Sequence, residues 1–252
     1  MKDPGQLKIL IYLLAFAGAL LTGFGIVFGK KTRVIQVNTL NREARKAYNS
    51  AEYKAAFSSL QYMVDSLEFA DEAARLDMAN AGFLMSRYDS ANHARDLAKD
   101  GYALDSVAVN AMKSSLTESG TTGLYEQLAE TAENLTFSSI AYNQLGVIDY
   151  NLRSGEAEAE AMARAAGNFK SALKKDPTND HARYNYELIR KRIDYPEMIM
   201  GQVRALIHQR KYKEARSLLR KAFEKDNQIK RNFAEYGQRL ENIIRIDSLS
   251  RS

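Results

Sequence analysis

From Val34 to the C-terminus, apolar side chains recur every three or four positions, the spacing that lines one face of a helix. Ala, Leu, Glu, Lys and Arg dominate this stretch, and all are strong helix formers. The only prolines are Pro4, Pro177 and Pro196, so no proline interrupts a helix between Gly29 and Pro177. The pattern predicts an all-α chain. Ahead of Val34 the pattern differs: Ile9 to Gly29 contains no charged side chain. At about 1.5 Å per residue, that run as a helix spans the ~30 Å hydrocarbon core of a bilayer.

Residues 1–33 therefore read as a single N-terminal transmembrane anchor. Lys8 flanks the run on one side, and Lys30, Lys31 and Arg33 on the other. Gly18, Gly23, Gly25 and Gly29 suit a bilayer better than a soluble helix. Ala15-Phe16-Ala17 has the form of a signal-peptidase site, but the apolar run continues to Phe28, which favours an uncleaved anchor. Orientation stays open. The excess of Lys and Arg after the run favours a cytoplasmic body, whereas a short basic N-terminus before a long apolar run is the form of a signal anchor that exports the body of the chain.

Beyond the anchor a four-residue signature recurs: Tyr53-Lys-Ala-Ala56, Tyr88-Asp-Ser-Ala91 and Tyr212-Lys-Glu-Ala215. Each copy is expected to follow one helix and open another. The alanine sits where two antiparallel helices cross, and Leu60 and Leu219 pack the next pair. One pair cannot bury its apolar face alone, so pairs stack into a solenoid. The first two copies lie close to the 34-residue period of tetratricopeptide (TPR) repeats. The clearest unit runs from Ala141-Tyr-Asn-Gln-Leu145-Gly146-Val-Ile-Asp-Tyr150 to Phe169-Lys-Ser-Ala172-Leu173-Lys-Lys-Asp176-Pro177 and resembles the TPR consensus. Gly146 permits close helix approach, and Pro177 ends the second helix. The unit carries about seven residues more than the TPR period, around Glu156-Ala-Glu-Ala-Glu160, which reads as a helix extended by about two turns.

These signals divide the body into 34–135, degenerate helix pairs; 136–195, the best repeat and the helix after it; and 196–252, a last pair and a capping helix. Asp176-Pro-Thr-Asn-Asp180 supplies a turn and an N-cap for a helix from His181 to Ile193, and Asp194-Tyr195-Pro196 begins the last segment. Ser106 to Gly123, rich in Ser, Thr and Gly, reads as a loose connection or a shortened helix pair.

Composition mainly excludes. With no cysteine, the chain has no disulfide, thiolate metal site or cysteine nucleophile. The net charge of +5 hides a basic N-terminus, an acidic middle and a basic C-terminal third. That last third interleaves Arg190, Lys191 and Arg192 with Asp194, the pattern of a solvated helix face rather than a nucleic-acid surface. None of His93, His181 and His208 has a second His or a carboxylate four residues after it, the spacing of a helical metal pair. Glu156, Glu158 and Glu160 fan over different helix faces. Gly120-Thr-Thr-Gly123 lacks the lysine and strand of a phosphate loop. Asn134-Leu-Thr136 is a glycosylation sequon by pattern alone. No catalytic, cofactor or metal residue is expected, and the chain reads as a non-enzyme.

The stretch Ala141-Tyr-Asn-Gln-Leu-Gly-Val-Ile, followed by Phe169-Lys-Ser-Ala-Leu-Lys-Lys-Asp-Pro-Thr-Asn-Asp-His-Ala-Arg-Tyr-Asn-Tyr-Glu-Leu188, resembles the BatC-like TPR proteins of the Bat aerotolerance operons of Bacteroidetes. Ala205-Leu-Ile-His-Gln-Arg-Lys-Tyr212-Lys-Glu-Ala215 is similar too. The resemblance implies a scaffold at the bacterial inner membrane with an exported, periplasmic body. Its partners would be membrane proteins with von Willebrand A (VWA) domains and a MoxR-type ATPase. It also implies a groove lined by the first helix of each pair. Candidate groove residues are Arg45, Tyr48, Asn80, Phe83, Asn143, Val147, Tyr150, Asn151 and Tyr184. The alternative is a membrane receptor subunit sensing a small ligand or peptidoglycan fragment, which needs a closed pocket.

Overall fold

The computed structural model describes residues 31–69, 71–98, 104–152 and 158–249. The described residues form ten helices and no strand. Helix α1 covers 31–49, α2 Tyr53–Gln61 with a wide π turn at Tyr62–Ser66, and α3 Glu72–Ala98. Then come α4 Leu104–Glu118, α5 Thr121–Thr131, α6 Leu135–Asn151 and α7 Glu158–Lys175. The chain ends with α8 Asp180–His208, α9 Tyr212–Lys225 and α10 Asn227–Leu249. The anchor expected over 1–33 lies outside the described residues except for 31–33, which sit in α1. No helix among the described residues is long and apolar enough to cross a membrane.

The first and third Tyr-x-x-Ala copies open α2 and α9, and Ala56 and Ala215 are wholly buried. Both come after the same kind of turn. Glu52 N–H donates to the Ala47 carbonyl (2.8 Å) and Lys211 N–H to the Leu206 carbonyl (2.9 Å), each reaching back five residues. Between them Ala51 and Arg210 are left-handed, at φ +60° and +59°. This is the hydrogen-bond pattern with which a helix ends on a left-handed residue, a position that favours glycine. A Cβ there costs about 1–2 kcal/mol. Ala51→Gly and Arg210→Gly are each expected to stabilise the protein, by about 0.5–1 kcal/mol once the extra chain entropy of glycine is deducted. Urea denaturation midpoints of the single and double variants check this, and the two gains should add.

The second copy is not a repeat corner. Tyr88 and Ala91 lie inside α3, with Tyr88 56% exposed. No turn precedes Tyr88, and its 35-residue spacing from Tyr53 is coincidental. Ser86 is wholly buried instead, where its hydroxyl accepts a bond from Ser115 of α4 (2.9 Å) and donates to the Gly82 carbonyl (2.8 Å).

The irregular stretch Ser106–Gly123 is neither a loose connection nor a separate pair. Along α3, Ser86 meets Ser115, Asn80 meets Tyr125, and Glu72 accepts the Glu133 and Asn134 amides. As numbers fall on α3 they rise on its partners. So α4 and α5 together run antiparallel to α3, as one helix interrupted at Gly120 (φ +64°). With α4–α5 taken as one arm, the order is regular. First helices α1, α3, α6 and α8 alternate with second helices α2, α4–α5, α7 and α9, and α10 closes the end.

Asn134 caps α6, accepting from the Thr136 and Phe137 amides, and Asn179 caps α8 through the Ala182 amide. Lys175 ends α7 just before Asp176-Pro177. The expected helix break at Asp194-Tyr195-Pro196 does not occur, and α8 runs through Pro196 to His208. The boundary instead divides the cores. Ile189 packs with Met162, Ala165 and Phe169, whereas Ile199, Met200 and Val203 pack with Ala215, Leu219, Ala222, Ile229 and Leu240.

Candidate groove

Three hydrogen bonds tie α6 to α8. Asn179 Nδ2, at the α8 cap, donates to Ser139 Oγ (2.9 Å). Asn185 Nδ2 donates to Asn143 Oδ1 (2.9 Å), and Arg192 donates to the Tyr150 hydroxyl (2.7 Å). The partners are 40, 42 and 42 residues apart, so the two helices run parallel at nearly constant register. Ser139 also donates to the Ala172 carbonyl of α7 (2.9 Å), joining three helices at one point.

Beside this polar row, Tyr184 (67% exposed) and Leu188 (47%) are one turn apart on α8 and open to solvent. The groove candidates read from the sequence did not include Leu188, Asn185 or Arg192. The i, i+4 spacing of Tyr184 and Leu188, with Arg192 a further four residues on, was the signal available for that face.

The nine groove candidates separate. Phe83 is no groove residue: it is 5% exposed in the core formed with Met112, Leu116, Tyr125 and Leu145, on the side of α3 that faces α4–α5. Val147 is half-buried between that core and the one around Phe169. Asn151 donates to its own helix at the Val147 carbonyl (2.8 Å). Asn143 is nearly buried and bonded to Asn185. Tyr150 is half-buried under the Arg192 guanidinium, which lies 5.9 Å from its ring centre. Tyr184 stands on the exposed face of α8.

Arg45, Tyr48 and Asn80 come together at the other end. With Asn41, Asn49 and Asp77 they line a cleft between α1 and α3, with Leu60 of α2 also in its wall. Tyr48 meets the Tyr53 ring edge-on at 5.6 Å. Loss of hydration in the cleft raises the Asp77 carboxyl above its ordinary range, opposed by Arg45 and reinforced by Asp71. The same desolvation raises the Tyr48 hydroxyl, with Tyr53 and Asp77 adding to it. Asn80 accepts from the buried Tyr125 hydroxyl (2.7 Å), and burial pushes that hydroxyl far above the usual tyrosine range.

Among the described residues no group of three His, Cys, Asp or Glu is placed to hold a metal. His181 and His208 are exposed on α8. Glu126 and Glu130 lie in a depression lined by α5, α6 and α7, where Asp149 is held by Arg164 (3.1 Å) and Asn168 (2.9 Å). Comparison with family models, with curated proteins and with solved structures returns no significant match.

Proposed function

We propose that the protein is a membrane-anchored, TPR-like scaffold. Its body, held at the bacterial inner membrane by residues 1–33, binds a helical or extended segment of a protein partner along the face lined by α1, α3, α6 and α8. The observation that carries this reading is the parallel pairing of α6 and α8, with Tyr184 and Leu188 exposed beside bonded Asn143–Asn185 and Tyr150–Arg192 pairs. A rigid polar row next to unpaired apolar side chains suits peptide capture, because the row needs no reordering on binding. The sequence resemblance to BatC-like proteins favours VWA-domain membrane proteins and a MoxR-type ATPase as partners, and a periplasmic body.

Pull-down of the detergent-solubilised full chain tests this. Wild type is expected to recover a VWA-domain protein or the ATPase. Tyr184→Ala with Leu188→Ala should cut recovery at least tenfold while leaving the urea midpoint nearly unchanged, since both side chains are exposed. Unchanged recovery by the double variant would remove this face from the reading. The receptor alternative draws on the Arg45–Asp77 cleft. Thermal stabilisation by a small-molecule or muropeptide library, with no protein recovered, would favour it.

A further inference from the structure

We propose that α8 is a hinge at Pro196, with the Arg231–Glu158 ion pair as its latch. Three observations converge. Pro196 lies inside a 29-residue helix. It has no N–H for the Arg192 carbonyl, and its ring crowds that carbonyl, so the helix is weakest between 192 and 196. The cores on the two sides of this point share no residue, with Ile189 belonging to one and Ile199 to the other. Finally, α7 packs on α6 and the first half of α8, while α9 packs on α10 and the second half. The last bundle is therefore carried on one helix, bending at its weakest step.

Away from the helix, Arg231 at the start of α10 reaches Glu158 at the start of α7 (3.7 Å). Arg231 is half-exposed and Glu158 about one-quarter exposed. Lys225, over the Tyr195 ring at 4.9 Å, belongs to the moving bundle together with Tyr195. The half-exposed Arg231 leaves the pair open to salt screening on one side, so the latch loosens as ionic strength rises. Tyr184, Leu188 and Met198 stand on one exposed side of α8 and span the hinge. Bending there changes the length and straightness of that stripe, and with it the segment the stripe can accept. The pivot itself does not depend on what the stripe binds.

The chain has no cysteine, so spin labels can be placed without background. Pulsed-dipolar distances between Lys170→Cys on α7 and Lys221→Cys on α9 report the bend. A control pair, Lys221→Cys with Asn232→Cys, lies within the last bundle. The cross-hinge distribution is expected to be at least twice as wide as the control. It should widen and shift in 0.5 M salt and in Arg231→Glu, and Pro196→Ala should narrow it to the control width. A wild-type distribution as narrow as the control, or one unmoved by Pro196→Ala, overturns the hinge. A distribution indifferent to both salt and Arg231→Glu overturns the latch.

Discussion

Phe169→Ala is expected to cost about 3–5 kcal/mol, because it empties a buried aromatic site between α6 and α7. Phe169 is 3% exposed, and its ring lies against Gly146. A Cβ built on Gly146 would stand 2.5 Å from the Phe169 Cε1 atom. The glycine and the ring are therefore one packing unit. Gly146→Ala overpacks it and costs about 1–3 kcal/mol, against which the better helix propensity of alanine returns about 1 kcal/mol. The double variant Gly146→Ala, Phe169→Leu should be more stable than the sum of the single losses predicts, since the smaller leucine makes room for the methyl group and the methyl group fills part of the space the ring leaves. In a linear array the damage is local. Amide hydrogen exchange should accelerate in α6, α7 and the first half of α8, while amides of α9 and α10 keep more of their protection. Equal acceleration throughout would mean that the two cores do not unfold separately.

This unit was the most legible part of the chain, for a physical reason. Gly146, Phe169, Ala172 and Asp176-Pro177 are each set by local backbone or by one close contact, so their identities can be read without the rest of the fold. The groove was less legible. Sequence spacing placed Phe83 and Tyr184 on first helices, but which way each helix turns its faces depends on its neighbours. Helix α3 turns Phe83 into the core because α4–α5 covers that side. Tyr88-Asp-Ser-Ala91 misled because a Tyr-x-x-Ala spacing says nothing of the preceding turn. The two true corners share a left-handed residue, at Ala51 and Arg210, that carries no glycine to announce it. Pro196 misled in the opposite sense. Proline weakens a helix without always ending it, and α8 runs on through Pro196 to His208.

The paired arm α4–α5 is the least expected element, and Tyr125 is its test. This side chain is wholly buried, and its hydroxyl donates to Asn80 at 2.7 Å across the interface between α5 and α3. Tyr125→Ala should cost about 3–5 kcal/mol through the cavity alone. Tyr125→Phe keeps the ring and removes only the donor, leaving the Asn80 carbonyl oxygen short of a partner, and should cost about 1–3 kcal/mol. Adding Asn80→Leu to Tyr125→Phe replaces both polar partners, so it should recover part of that loss, which a cavity effect would not do. Chemical denaturation gives the three values, and hydrogen exchange places them. With α4 and α5 lying as one arm along α3, the Tyr125 variants speed exchange on α3 around Asn80 as well as on α5. Were α4 and α5 a hairpin standing apart from α3, the loss would stay within them and Asn80→Leu would bring no recovery. The outcome also bears on the cleft, since Asn80 lines it alongside Arg45 and Tyr48. Fixing Asn80 from behind, Tyr125 sets how that amide faces the space where Asp77 is already partly dehydrated.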